Sequence, residues 1–125
     1  FGRILRESGA SSLNDVSDGL SREINEIALA SRVTIELEKE RIPLSDELCR
    51  WGQDCGKEPF HFAINGGEDY ELVGTISKKN WEYVKGIGGV TGIGHVTKAG
   101  KGQVFLKDKN SIKLLTIAGY DHFRL

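Results

Sequence analysis

The sequence contains no methionine, only two prolines and only two cysteines. A chain that opens on Phe1-Gly2-Arg3 without an initiator residue is expected to be a processed, recombinant or excised fragment. Cys49 and Cys55 lie six positions apart with no histidine at ligand spacing, which excludes a CxxC metal clamp and a redox pair. Two reduced, partly buried thiols are expected instead. No apolar run approaches the roughly 18 residues of a membrane span, and no secretory h-region stands near the start. The chain therefore reads as cytoplasmic, with no membrane partner. Neither sign of charge dominates: the formal net charge is -1 and the pI is near 6.3, which leaves no field for nucleic-acid binding.

What is present fits one compact domain, taken as residues 1–125. With 38% hydrophobic and 28% charged residues and 16 glycines, the composition is that of a soluble domain rich in turns. Leu20, Ile24, Ile27 and Ala28 recur at helical spacing, with Asp18 as the expected N-cap and Ser31 near the end. Val33, Ile35 and Leu37 alternate with polar residues as in a strand. Ser45 is the expected N-cap of a second helix carrying Leu48, Trp51 and Cys55, with Gly56 at its end. Phe60, Phe62 and Ile64 alternate next, followed by the turn Asn65-Gly66-Gly67 and a strand from Tyr70 to Ile76. Ser77 to Lys85 forms a third helix. Val90 to Val96 and Gln103 to Leu106 read as strands around Gly100-Lys101-Gly102, and Asp108-Lys109-Asn110 turns into Ile112 to Ile117. Helices mixed with a late run of consecutive strands predict an α+β fold, a mixed β-sheet covered by helices.

Three segments can carry chemistry. In Asp15-Val16-Ser17-Asp18-Gly19-Leu20, two carboxylates flank a serine at a helix entrance. Hard oxygen donors beside the amide groups of a helix N-terminus suit a polyphosphate with its Mg²⁺. From pattern alone the plainer reading, an N-cap Asp worth about 1 kcal/mol, has the better claim. In Asn65-Gly66-Gly67-Glu68-Asp69-Tyr70-Glu71-Leu72, three acids follow a diglycine turn; they serve a metal or substrate, or protect a strand edge by charge. In Tyr120-Asp121-His122-Phe123, aromatics beside an acid and an imidazole either stack on a heteroaromatic ligand or pack a tail on the core.

The glycine-rich run Gly86 to Gly94 is not a dinucleotide loop, because it follows a helix and leads into a strand rather than the reverse. No phosphate loop of the GxxxxGK type, HExxH or GxSxG is present. His61, His95 and His122 are scattered, without a nucleophile at a recognisable spacing.

The three segments, with Arg41-Ile42-Pro43-Leu44-Ser45 and Gly92-Ile93-Gly94-His95-Val96-Thr97, occur in the order found in thiamine-monophosphate kinases, and the resemblance covers nearly the whole chain. The first segment alone reaches only the wider superfamily that includes aminoimidazole ribonucleotide synthetase and selenophosphate synthetase. The second and third narrow it. The resemblance implies the fold of that superfamily's C-terminal domain. It also implies phosphorylation of thiamine monophosphate by ATP to thiamine diphosphate, through Mg²⁺-assisted in-line transfer. On matching positions, Asp15 and Asp18 are the implied Mg²⁺ ligands, Ser17 the ATP contact, and Glu68 and Tyr120 the substrate contacts. No catalytic nucleophile is implied. The family's N-terminal ATP-binding domain is not in this chain and is the expected partner; an apolar docking face is expected, compatible with self-association, a homodimer included.

Two rival readings stand beside this one: another ATP-dependent enzyme of the superfamily, and a non-catalytic binding or interaction domain. With the rest of the ATP site outside it, the 125-residue chain alone is expected to form no thiamine diphosphate. Product analysis by chromatography after incubation with Mg-ATP and thiamine monophosphate checks this, and measurable product from the pure chain overturns it.

Overall fold

The computed structural model describes residues 9–15, 19–44, 46–56, 72–87, 89–116 and 119–120, with backbone alone for Asn14, Asp15, Asp46, Glu47, Leu48, Gly119 and Tyr120. Its elements run β1 (Ala10–Asp15), α1 (Leu20–Ser31), β2 (Val33–Glu38), a 3-10 turn (Lys39–Arg41), α2 (Asp46–Cys55), β3 (Leu72–Ile76), α3 (Lys78–Val84), β4 (Gly94–Ala99), β5 (Val104–Asp108), β6 (Ser111–Thr116) and β7 (Gly119–Tyr120). β1 and β3 form an antiparallel two-stranded ladder, and the other strands form a five-stranded sheet in the order β4-β2-β5-β6-β7. β2 and β5 pair in parallel while every other neighbour is antiparallel, so the sheet is mixed and the fold is α+β as expected.

Helix α1 forms where the spacing of its apolar residues demands. Ile24, Ile27 and Ala28 are buried, and Arg32 closes the helix in the left-handed region at φ 50, its amide donating to the carbonyls of Ala28 and Leu29. Because Arg32 alone separates α1 from β2, the helix turns straight back along the strand. It packs against β2, β5 and β6 of the larger sheet and against β1 and β3 of the ladder. Gly102, at φ 84 just before β5, lies against Leu29, where an added Cβ would come within 2.6 Å of the Leu29 Cα. That contact fixes the C-terminal end of α1 at the start of β5. The N-terminal end of α1 is therefore carried to the edge of the sheet where β2 and β5 finish.

The core is one layer of branched side chains beneath α1. Ile35 pairs with Val104, and Val104 with Leu115; Leu37 pairs with Leu106 in the next row. All five are at most 3% exposed. Alternate residues of β2, Thr34, Glu36 and Glu38, take the other face and remain half-buried, which is the period-two signature of a strand with one core side.

Several expectations are revised. Gly19, not Asp18, is the N-cap of α1, because the backbone there takes φ 97 and ψ 149, a region essentially closed to residues with a Cβ. The strand expected from Val90 starts only at Gly94, and it does not pair with the strand after Gly100-Lys101-Gly102: β2 inserts between β4 and β5. A local turn signal cannot reveal that a distant strand occupies the space between its arms. Cys55 is exposed rather than partly buried, since six positions along α2 turn it away from half-buried Cys49; both are free thiols. Trp51 is also exposed, at 38%. Ser77 caps α3 through its hydroxyl, which accepts from the Asn80 amide at 3.2 Å. Gly86 follows α3 and Gly94 opens β4, the opposite order to a dinucleotide loop. The expected strand at Phe60 to Ile64, the turn at Asn65 to Gly67 and the cap at Ser45 lie outside the described residues.

Leu106 is 2% exposed and Ile112 is 57% exposed, although they stand on paired strands. Leu106→Ala is expected to lose about 2–5 kcal/mol of unfolding free energy, whereas Ile112→Ala should stay within about 0.5 kcal/mol. The midpoints and slopes of urea denaturation test both.

Candidate functional site

Two of the chemically suggestive segments leave the fold from one place. Asp15, the last residue of β1, pairs with Leu72, the first residue of β3. Because the ladder is antiparallel, the chain running on from Asp15 and the chain arriving at Leu72 meet at the same end of the two strands. The four residues after Asp15 lead directly into α1. The three endpoints, β1, β3 and α1, thus converge through hydrogen bonding on one side and covalent connection on the other.

Gly19 makes the entrance to the helix. It is buried, and its carbonyl accepts from the Glu23 amide at 3.2 Å, so the α1 ladder starts from it. Its φ of 97 lies in the region that favours glycine. The N-terminus of a helix carries partial positive charge and amide donors, which favour an anion presented to it.

Asp15 is thus placed by its backbone at this junction. Ser17, Asp18 and Glu68 lie outside the described residues. Tyr120 is placed by its backbone on β7, paired with Leu115 at the margin of the five-stranded sheet, and no strand pairing joins it to Asp15. Among the described residues, no three His, Cys, Asp or Glu side chains gather into a metal-holding group. The chemistry of the expected donors nevertheless fits Mg²⁺, which takes one or two carboxylates and completes its shell with phosphate and water.

Two features here escape a reading of motifs. Glu23 is only 7% exposed although its side chain is ionisable, and Ser21, two positions before it, is 1% exposed. Both sit in the first turn of α1. A buried face wider than the apolar stripe could have signalled them, but only the contact of α1 with two sheets makes that face so wide. The second feature is a groove of about 230 Å³ lined by Glu38, Glu40, Arg41, Lys107 and Lys109, at the finishing ends of β2 and β5. Arg41 Nε stands 3.0 Å from Glu38 Oε2, and Lys39 Nζ 3.5 Å from Asp108 Oδ2. These exposed or half-buried pairs leave the groove of mixed charge, with little net attraction for one kind of ion. No described helix is long and apolar enough to cross a membrane.

Residues 2–107 match the family of AIR synthase related proteins, C-terminal domain. The thiamine-monophosphate kinase of Bacillus subtilis (strain 168) is 39% identical to this chain over 128 residues, covering 98% of the chain and 38% of that protein. The solved structure of AaThiL complexed with AMPPCP and TMP, ThiL being the thiamine monophosphate kinase of Aquifex aeolicus, matches with a TM-score of 0.71 and 35% identity. It covers 97% of this chain and 36% of the solved one. Hydrogenase maturation protein HypE in complex with ATP matches with a TM-score of 0.72, 19% identity and coverage of 91% and 38%, a likeness of fold alone. The chain spans little more than a third of the length of these relatives.

Gly19→Ala is expected to destabilise the protein by on the order of 1–3 kcal/mol, because a Cβ is forced into this disallowed backbone region. Equilibrium denaturation of the variant tests this; unchanged stability would show that the turn into α1 relaxes freely.

Proposed function

The chain belongs to the AIR synthase related family, as its C-terminal domain, and we propose that it is the C-terminal part of a thiamine-monophosphate kinase. The whole protein transfers the terminal phosphoryl group of ATP to thiamine monophosphate, giving ADP and thiamine diphosphate. The observation that carries this reading is the pairing of Asp15 with Leu72. It ties the segment 15–19 to the acidic segment ending at Glu71, next to the N-terminus of α1. The similarity to thiamine-monophosphate kinases over almost the whole chain supports the same reading.

Phosphoryl transfer asks for positioning and charge neutralisation more than for a covalent nucleophile. Asp15 and Asp18 hold Mg²⁺ in this reading, and Ser17 contacts the nucleotide. When bound, the metal neutralises charge on the phosphate oxygens. The N-terminus of α1 adds its partial positive charge toward the same phosphates, and Gly19 lets the chain turn without a side chain in the way. Glu68 binds thiamine monophosphate, and Tyr120 contacts its ring system from β7. The cytoplasm is the compartment where both substrates meet the protein. An N-terminal domain outside this chain supplies the remainder of the ATP site, and association into a homodimer is compatible with the reading.

In the full-length protein, Asp18→Asn is expected to lower thiamine diphosphate formation on the order of a hundredfold or more, because a carboxylate assigned to hold the Mg²⁺ that neutralises the phosphates is lost. Turnover followed by chromatography, with ATP and thiamine monophosphate, checks it. A full-length wild-type protein that hydrolyses ATP yet leaves thiamine monophosphate untouched would move the assignment to another ATP-dependent reaction of the family.

A further inference from the structure

We infer that the outer margin of β4 is built to turn away a further strand, with Thr97 and Lys98 as the residues that block it, so that copies of this protein do not join sheet to sheet there. β4 (Gly94–Ala99) ends the five-stranded sheet, with β2 on one side and no described strand on the other. Its residues from His95 to Ala99 are all exposed. Val96 stands in register with buried Ile35 and is nevertheless 47% exposed. A strand of six residues with an exposed valine and no proline is a template on which a second chain can add its backbone hydrogen bonds.

Two features oppose that addition. The first is a bulge. Thr34 pairs with Lys98 and Ile35 with Val96, so Thr97 is an extra residue on β4. Its hydroxyl donates to the Thr34 carbonyl at 3.3 Å, and beyond it the Gly100 amide donates to the Arg32 carbonyl at 3.0 Å, which holds the bulged stretch against β2. An extra residue bends the strand and breaks the even spacing of its outward N–H and C=O groups. A regular incoming strand can therefore match Gly94–Val96 or Lys98–Ala99, but not both. Such short runs offer too few hydrogen bonds to offset the ordering of a second chain. The second feature is charge. β4 contains Lys98 and His95 and no acid, so a second copy presenting the same strand sets cation against cation.

The placing of the irregularities fits this role. The other register shift among the described strands falls at Ser11 of β1, in the ladder where each strand also has a single described neighbour, and the Ser11 hydroxyl lies 2.8 Å from that of Thr75. The interior pairings β2–β5 and β5–β6 run without a shift. Bulges that served only to shape the core would not keep to strands with an open side.

Analytical ultracentrifugation of the full-length protein over a range of concentrations, with hydrogen exchange of β4 followed by mass spectrometry, tests the inference. Lys98→Val, and Lys98→Val combined with deletion of Thr97 to restore a continuous ladder, are expected to form assemblies larger than the wild type's. The combined change should do so at concentrations about tenfold or more below any at which the wild type does. Exchange of the β4 amides should slow as these assemblies form. Lys98→Arg keeps the charge and should sediment as the wild type. The inference is overturned when neither variant gains mass, when mass is gained without protection of β4, or when Lys98→Arg associates as Lys98→Val does. Should deletion of Thr97 unfold the protein, the comparison of Lys98→Val with Lys98→Arg decides. A wild-type protein whose β4 amides gain protection as its concentration rises also overturns it, because the margin then accepts a strand. None of these outcomes bears on the kinase reading, which turnover of thiamine monophosphate judges separately.

Discussion

Helix α1 is held by two sheets at once, and the placement of the candidate site follows from that. It meets β2, β5 and β6 of the larger sheet and also the β1–β3 ladder. Burying Ile24 and Ile27 alone contributes roughly 1.5–3 kcal/mol each. The single-residue turn at Arg32 and the close approach of Gly102 to Leu29 leave the helix one direction in which to run. Its N-terminus is consequently delivered to the end of the β1–β3 ladder, where Asp15 and Leu72 pair. Hydrophobic packing thus sets where the helix begins.

A scaffold of this kind separates stability from chemistry. The rows Ile35, Val104, Leu115 and Leu37, Leu106 supply the core, and none of them lies in the acidic segments. The residues that turn and charge the junction are unfavourable by local criteria: Gly19 at a backbone angle open to glycine, and Glu23 with a carboxylate out of water. Costs of this sort collect where a protein binds something, because the bound state repays what the empty state loses. The core of branched side chains is large enough to carry them.

Much of the fold was legible in the residues. The stripe of Leu20, Ile24, Ile27 and Ala28, the alternation of Val33, Ile35 and Leu37, the helix expected over Ser77 to Lys85 and the Asp108 to Asn110 turn each became the element that their periodicity or turn chemistry specified. These signals are local, carried by neighbours within a turn or two. The boundaries that shifted, at Gly19 and Gly94, are those where backbone conformation or the approach of another strand decided the start.

The sequence by itself determined the segments: which stretches are helical or extended, where acids concentrate, and that these acids stand in the order seen in thiamine-monophosphate kinases. It did not determine who lies beside whom. That β2 separates β4 from β5, that Asp15 faces Leu72 across 57 positions of chain, and that Glu23 is buried are outcomes of tertiary packing. The physical reason is that periodicity reports which side of an element shuns water, whereas the identity of its neighbour is chosen by the competition of all such surfaces for one another.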